Sequence, residues 1–230
     1  MRDIRMAAKT VKLIALSLFF IPIVVFAQGL KSELIRAING HDTEAAMDLI
    51  AKDVDINVKD YAGMTPLVLA LSQGEIEVAN ALITKGSDIN AGNVFGVTPL
   101  MMAASTAEGG EKGDKIFDLL IAKGADVYAK DHSGMTVLMY AARGGHDKRV
   151  KTLLANGVDV NARVQNGGNN TALLLAAQSL GDHAGVIDLL LIAGADVNAK
   201  DGLGHTVLSR AEKKGRTDII DLLKQAGAKG

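Results

Sequence analysis

Gly-Met-Thr-Pro-Leu, at residues 63–67, returns four more times along the chain in closely related form. The later copies are Gly-Val-Thr-Pro-Leu at 96–100, Gly-Met-Thr-Val-Leu at 134–138, Asn-Asn-Thr-Ala-Leu at 169–173 and Gly-His-Thr-Val-Leu at 204–208. Their threonines, Thr65, Thr98, Thr136, Thr171 and Thr206, are separated by 33, 38, 35 and 35 residues. A period in this range indicates a stacked repeat array.

A second phrase follows each of the first four copies. It is Gly-Ser-Asp-Ile-Asn at 86–90, Gly-Ala-Asp-Val at 124–127, Gly-Val-Asp-Val-Asn at 157–161 and Gly-Ala-Asp-Val-Asn at 194–198. Paired alanines also recur between the two phrases, at 103–104, 141–142 and 176–177. Together these features resemble the ankyrin repeat family over about residues 30 to 228. The resemblance implies an all-α solenoid of about six helix-turn-helix units with projecting β-turn fingers, and binding to other proteins.

One unit can also be read from its residues. Thr65 is a good N-cap, and Pro66 suits the first helical position, where a missing amide hydrogen costs nothing. A short apolar helix is therefore expected to begin after Thr65 and to end near Gly74. A second helix with periodic apolar residues should follow and end at Gly86.

The repeats divide the chain into predicted spans. Neighbours must stack to bury their apolar faces, and the end units need polar outer faces. Residues 28–59 are predicted to form a degenerate first cap and residues 201–230 a last cap. The units between them are predicted at 60–92, 93–130, 131–165 and 166–200.

The steps longer than 33 residues locate insertions. The stretch from Ser105 to Lys115 is polar and glycine-rich, and it predicts a lengthened loop between the two helices of the third unit. Such a loop is either a tolerated surface feature, since loop closure entropy rises slowly with length, or an edge of the binding face. Smaller excesses at 163–170 and 179–185 predict a lengthened fingertip and a lengthened helix connection.

Residues 1–27 have the pattern of a secretory signal peptide. Four basic residues precede an uncharged run from Leu13 to Ala27, and Val25-Phe26-Ala27 suits a signal peptidase. The run has fewer than the about 20 apolar residues of a usual spanning helix. Cleavage after Ala27 is expected, and retention of the segment as a membrane anchor is the alternative.

Composition agrees with an exported, soluble domain. The whole chain has 25 basic and 26 acidic residues, and without residues 1–27 the counts are 21 and 25. A net negative chain does not favour binding to nucleic acid, which needs a basic surface. The chain has no cysteine, which excludes disulfides and suits an oxidising compartment. A periplasmic or secreted location is therefore predicted.

The sequence contains no recognisable catalytic constellation. The absence of cysteine excludes a thiol nucleophile and a cysteine-based zinc site. The five histidines fall at different points of different repeats, without a pair at ligand spacing. His41 and His146 are interpreted as structural, whereas His132 and His205 lie in fingertips as solvated turn residues or contact residues. We therefore predict a non-enzymatic protein with no cofactor and no metal.

Without a catalytic site, the function is expected to lie in a binding surface. In the family that the chain resembles, fingertips and short first helices line a concave groove. The fingertip positions here are unusually apolar, and exposed apolar area marks interaction sites. The predicted partner-binding residues are Tyr61, Met64, Phe95, Val97, His132, Met135, Leu203 and His205, with Val94 beside them. Met64, Val97 and Met135 could instead pack only against adjacent fingers.

One departure from the resembled family affects these fingers. Ankyrin repeats commonly carry histidine after Thr-Pro-Leu, where it ties neighbouring loops together. This chain has Val68, Met101, Met139, Leu174 and Ser209 there. Weaker polar ties between repeats are therefore expected.

Two functional hypotheses follow. The first is a monomeric exported protein that holds one protein partner, either as an accessory or scaffold for a periplasmic enzyme or as an inhibitor such as an immunity protein. The second is a structural protein that its N-terminal helix keeps at the membrane. The mass of the mature chain would distinguish them.

Overall fold

The computed structural model describes residues 33–52, 54–106, 110–165, 168–179 and 181–229. The predicted signal peptide, residues 1–27, lies outside them. The described residues form twelve helices in six pairs. They are α1 (33–39), α2 (Thr43–Ala51), α3 (Pro66–Ser72), α4 (Ile76–Lys85), α5 (Pro99–Ser105), α6 (Gly110–Ala122), α7 (Val137–Gly144), α8 (Asp147–Ala155), α9 (Ala172–Gln178), α10 (Ala184–Ile192), α11 (Val207–Lys213) and α12 (Thr217–Gln225).

The motif threonines begin the first helix of the second to sixth units, as predicted. Each threonine Oγ1 accepts a hydrogen bond from the amide three residues later, at 3.1–3.4 Å. These N-caps are Thr65, Thr98, Thr136, Thr171 and Thr206. Each cap satisfies one amide that the helix itself leaves without a partner.

The helices form two layers. Helices α3, α5, α7, α9 and α11 pack side by side as the first-helix layer, and α2, α4, α6, α8, α10 and α12 form the second-helix layer. The leucines of the five motifs are at most 4% exposed and fill the core. The alanines beside them, such as Ala141 and Ala142, are fully buried and let the helices approach closely. The prediction of an all-α solenoid is confirmed.

The prediction of a long loop in the third unit is wrong for most of its length. Helix α6 already begins at Gly110 and continues for 13 residues. Gly113 is buried, and Asp114 is held at 2.9 Å from Nε of Arg149 on α8. The inserted residues from 110 onward therefore lengthen a helix.

Neighbouring repeats are tied by polar bonds after their second helices. The asparagine of the second phrase, and Asn57 at the equivalent place in the first unit, uses its side-chain oxygen to accept an amide hydrogen bond from the next repeat. Asn57 accepts from Asp88, Asn90 from Asp126 and Asn161 from Asp196, at 2.8–3.0 Å. Polar ties between repeats therefore exist without the histidines that the family commonly carries after Thr-Pro-Leu.

Candidate functional site

Short turns project between the helix pairs and form what we call fingers: finger 1 (60–64), finger 2 (93–97), finger 3 (131–135), finger 4 (described at 163–165 and 168–170) and finger 5 (201–205). In finger 1, Asp60 Oδ1 accepts from the amides of Ala62 and Met64, both at 2.8 Å. Asn93, Asp131 and Asp201 do the same in fingers 2, 3 and 5. Because the carboxylate or amide oxygen satisfies the turn from inside, these four fingers share one turn geometry.

Neighbouring fingers are joined through their backbones. The amide of Val94 donates to the carbonyl of Ala62 at 3.1 Å, and the amide of His132 donates to that of Phe95 at 2.9 Å. Gly202 donates to Gly168 at 2.9 Å in the same manner. Fingers 1 to 3 therefore form a continuous wall, and finger 5 adjoins finger 4.

Gly63 allows fingers 1 and 2 to approach closely. It has φ +71°, and a Cβ added there would lie 2.9 Å from the amide nitrogen of Val94. Neither the backbone angle nor the contact suits an L side chain.

We therefore expect Gly63→Ala to lower the free energy of unfolding by about 1–2 kcal/mol and to weaken the bond from Val94 to Ala62. Urea denaturation and hydrogen exchange of the Val94 amide measure the two effects. Gly204→Ala is the control, because its φ of +82° carries the same strain but a Cβ there meets nothing within 4 Å. Equal losses of Val94 protection in both variants would contradict the close-approach argument.

The first-helix layer forms a second wall, which faces the fingers. Tyr140 Oη on α7 donates to Asp131 Oδ2 of finger 3 at 2.8 Å, and the Arg210 guanidinium on α11 pairs with Asp201 of finger 5. Tyr140 and Arg210 both lie four residues after a motif threonine, so this row of the first-helix layer faces the fingers, and we call the space between them the groove. The row consists of Leu69, Tyr140 and Leu175, which are buried, and of Met102 and Arg210, which are partly exposed.

The contact between Tyr140 and Asp131 changes the acidity of both groups. Burial, and next the hydrogen bond to Asp131, raise the pKa of Tyr140 well above its ordinary value. Burial alone would raise the pKa of Asp131, but bonds from Ser133, Tyr140 and backbone amides outweigh it and lower that pKa. Tyr140 is therefore a neutral donor and Asp131 an ionised acceptor at neutral pH.

Asp201 is the more strongly held carboxylate. Burial, the largest influence, would raise its pKa, but Arg210 and the amides of His205 and Leu203 outweigh it and hold the pKa far below the usual range. His205 Nδ1 also lies 3.2 Å from Asp201 Oδ2. Arg210 and His205 are thus tied to their own finger.

The structure places the predicted contact residues in two groups. Four tips are exposed: Tyr61 fully, Leu203 at 80%, Phe95 at 66% and Val94 at 54%. Tyr61, Val94 and Phe95 lie together on fingers 1 and 2, whereas Leu203 lies on finger 5. The predicted stripe is therefore apolar at one end and interrupted at fingers 3 and 4.

The remaining predicted residues are less available to a partner. Val97 is only 8% exposed and belongs to the core, which corrects its prediction as a surface residue. Met64 and Met135 are half-buried and pack against that core. His132 is exposed on finger 3, and its ring lies beside Gly96, where an added Cβ would meet Cδ2 at 2.7 Å.

The resemblance implied that the first helices line the groove, but no side chain on that wall was named from the sequence. Its signal was available, because position four after the motif threonine is Leu, Met, Tyr, Leu or Arg in successive repeats. Within the described residues, no group of three or more histidine, aspartate or glutamate side chains could hold a metal ion. Nor does any helix in the described ranges have the length and apolar character needed to cross a membrane.

Stacked helix pairs with a finger-lined groove define a repeat array built for binding along one face. A family model that describes three copies of the ankyrin repeat matches residues 34–131 and, in a second match, residues 105–201. The chain belongs to the ankyrin repeat family. Ankyrin repeats generally act as protein-protein interaction modules, and the family is typically non-enzymatic.

Proposed function

We propose that this protein is a monomeric, non-enzymatic binder that acts in the periplasm or another exported space and holds one protein partner in its groove. Its role there is that of an accessory, a scaffold or an inhibitor. The fold class and family support the binding part of this proposal. The pattern of residues 1–27 supports the export part.

The observation that carries the proposal is the apolar patch of Tyr61, Val94 and Phe95. The three side chains are more than half exposed, on fingers that a backbone hydrogen bond joins at 3.1 Å. Aromatic side chains are enriched at protein interfaces, and ordered fingers lose little conformational freedom when a partner binds. The patch therefore suits a partner's apolar side chains.

Tyr61→Ala combined with Phe95→Ala is expected to reduce partner affinity at least a hundredfold, because buried aromatic anchors dominate interface energies. The melting temperature should change little, since both side chains are exposed. Affinity capture with the tagged protein from its native host, quantified by mass spectrometry, measures the loss.

Met47→Ala combined with Ile192→Ala is the matched control. These side chains are 41% and 76% exposed and lie on the second-helix layer, away from the groove. Capture should survive in this variant. Equal capture by the wild type and the Tyr61 and Phe95 variant would reject the groove as the binding site.

Export is tested by the mass of the protein recovered from the periplasmic fraction. A mature chain that begins at Gln28 is expected. Recovery of the intact chain with the membrane fraction would instead support the second hypothesis, a structural protein anchored by its N-terminal segment.

A further inference from the structure

Acidic residues are unevenly divided between the two helix layers. Every helix of the second-helix layer carries at least one carboxylate, for example Glu77 on α4 and Asp188 on α10. Helices α3, α5, α7 and α9 of the first-helix layer carry none. The helix wall of the groove is thus nearly free of negative charge.

The carboxylates of the finger wall are already in use. Asp60 and Asp131 accept amides of their own fingers, and Asp131 also accepts from Tyr140. Asp201 is buried and pairs with Arg210. These groups stabilise the fingers. The Arg210 guanidinium offsets the charge of Asp201, whereas the hydrogen bonds to Asp60 and Asp131 come from neutral donors and leave the carboxylate charge in place.

Cations are concentrated in the C-terminal half of the groove. The residues seven positions after the motif threonines lie one helical turn beyond the row that faces the fingers. In chain order they are Ser72, Ser105, Arg143, Gln178 and Lys213. Arg143 and Lys213 are exposed, and within the described residues no ion pair joins either of them to a carboxylate. The Arg143 guanidinium carbon lies 5.1 Å from the ring centre of Tyr140, which keeps it on the groove side of α7.

The groove is therefore polarised along its length. Its N-terminal end offers Tyr61, Val94 and Phe95 on the fingers, with the partly exposed Met102 on the helix wall. Its C-terminal end offers Arg143 and Lys213. This order of apolar surface followed by positive charge suits only a ligand with the complementary order.

We infer that the partner segment that fills the groove is an acidic polypeptide segment with aromatic or aliphatic side chains at one end, which contact Tyr61 and Phe95, and carboxylates at the other, which pair with Arg143 and Lys213. The inference rests on the proposed function and adds the chemistry of the partner. Arg suits this task because its planar guanidinium can bind a carboxylate through two parallel hydrogen bonds.

The geometry also sets a spacing. Arg143 and Lys213 lie on α7 and α11, which are separated by α9 in the first-helix layer. Packed helices are about 8–10 Å apart, so the two cations are about 16–20 Å apart. An extended segment advances about 3.3 Å per residue and would place its two carboxylates about five to six residues apart.

The test uses a phage-displayed library of random 16-residue peptides, selected against the purified protein. Selected peptides are expected to combine an aromatic or aliphatic cluster with Asp or Glu residues five to six positions apart. For one selected peptide, fluorescence anisotropy should show at least a tenfold loss of affinity for Arg143→Glu with Lys213→Glu. Raising the salt concentration should weaken binding to the wild type more than to this variant.

Lys123→Glu with Lys151→Glu is the matched control. It makes the same change in net charge at exposed lysines in or beside the second-helix layer, and affinity should stay within threefold of the wild type. Circular dichroism checks that both variants are folded.

Two results separate the inference from the proposed function. In the first result, peptides lose affinity for the Tyr61→Ala and Phe95→Ala variant but bind the Arg143→Glu and Lys213→Glu variant with the affinity they have for the wild type. This result would overturn the inference of an acidic partner and leave the groove as the binding site. Selected peptides that are indifferent to both variants would overturn the proposed function itself.

Discussion

Arg149→Met is expected to lower the free energy of unfolding by about 2–4 kcal/mol. Arg149 is 2% exposed and lies on α8 of the fourth unit. Its guanidinium donates to the carbonyls of Ala103 and Thr106, both at 2.8 Å, and to Asp114 Oδ1 at 2.9 Å. Methionine has a similar volume but leaves these acceptors without a donor, and unsatisfied buried acceptors are costly.

Urea denaturation of Arg149→Met beside Lys148→Met measures this effect. Lys148 is exposed and lies 3.5 Å from the same carboxylate, so its loss should cost less than about 1 kcal/mol. Hydrogen exchange should report the largest loss of protection in α6 and at the C-terminal end of α5. A cost below 1 kcal/mol for Arg149→Met would show that Arg149 does not hold the lengthened helix in place.

Asp201→Ala is expected to cost about 2–3 kcal/mol at pH 7, because Arg210 and two backbone amides lose their acceptor. The pKa of Asp201 is lower in the folded state than in the unfolded chain. Its stabilising contribution is therefore complete above the unfolded pKa of about 3.9 and is lost as the pH falls below that value. Wild type and variant should converge in stability as the solution becomes more acidic.

Asp60→Ala is the control for this prediction. Asp60 accepts two amides of finger 1 in the same way but forms no ion pair among the described residues, so its loss should cost about 1 kcal/mol. Melting temperatures measured between pH 7 and pH 3 follow both variants. A difference between wild type and Asp201→Ala that grows as the pH falls would contradict the depressed pKa.

The repeat architecture could be predicted because its determinants are local. A threonine cap, a glycine stop and helical spacing of apolar residues act within one unit, and the period shows that the unit recurs. Thr136 and Gly86 illustrate this, since each begins or ends a helix where the sequence places it. Two-layer packing then follows from the need to bury both apolar faces.

Arg149 was missed because its environment depends on an insertion 35 residues away. A sequence signal existed, however. The position eight residues before the glycine that follows the second helix can be compared between units. In four units this residue is apolar and buried: Val78, Ile116, Val186 and Ile219. In the fourth unit along the chain it is Arg149. A cation at an apolar position of the repeat predicts a buried ion pair, and its partner, Asp114, lies in the inserted stretch.

The candidate site could be predicted only in part. Exposed tips such as Tyr61 and Phe95 follow from the turn chemistry. Val97 packs with the core, whereas Met64 and Met135, which also directly precede a motif threonine, are only half-buried, so the sequence position alone does not decide burial. The helix wall of the groove could not be predicted from the turns alone. Tyr140 and Arg210 are oriented toward the fingers by contacts with finger residues nine positions earlier in the sequence. Export concerns residues 1–27 and stays a prediction.

A protein partner is expected to occupy the groove between the fingers and the first helices. Hydrogen exchange of the protein alone and with its captured partner tests this occupancy most directly. Added protection is expected in fingers 1 and 2 and in α5 and α7, with no change in the second-helix layer. Protection confined to α4, α6, α8 and α10 would contradict it.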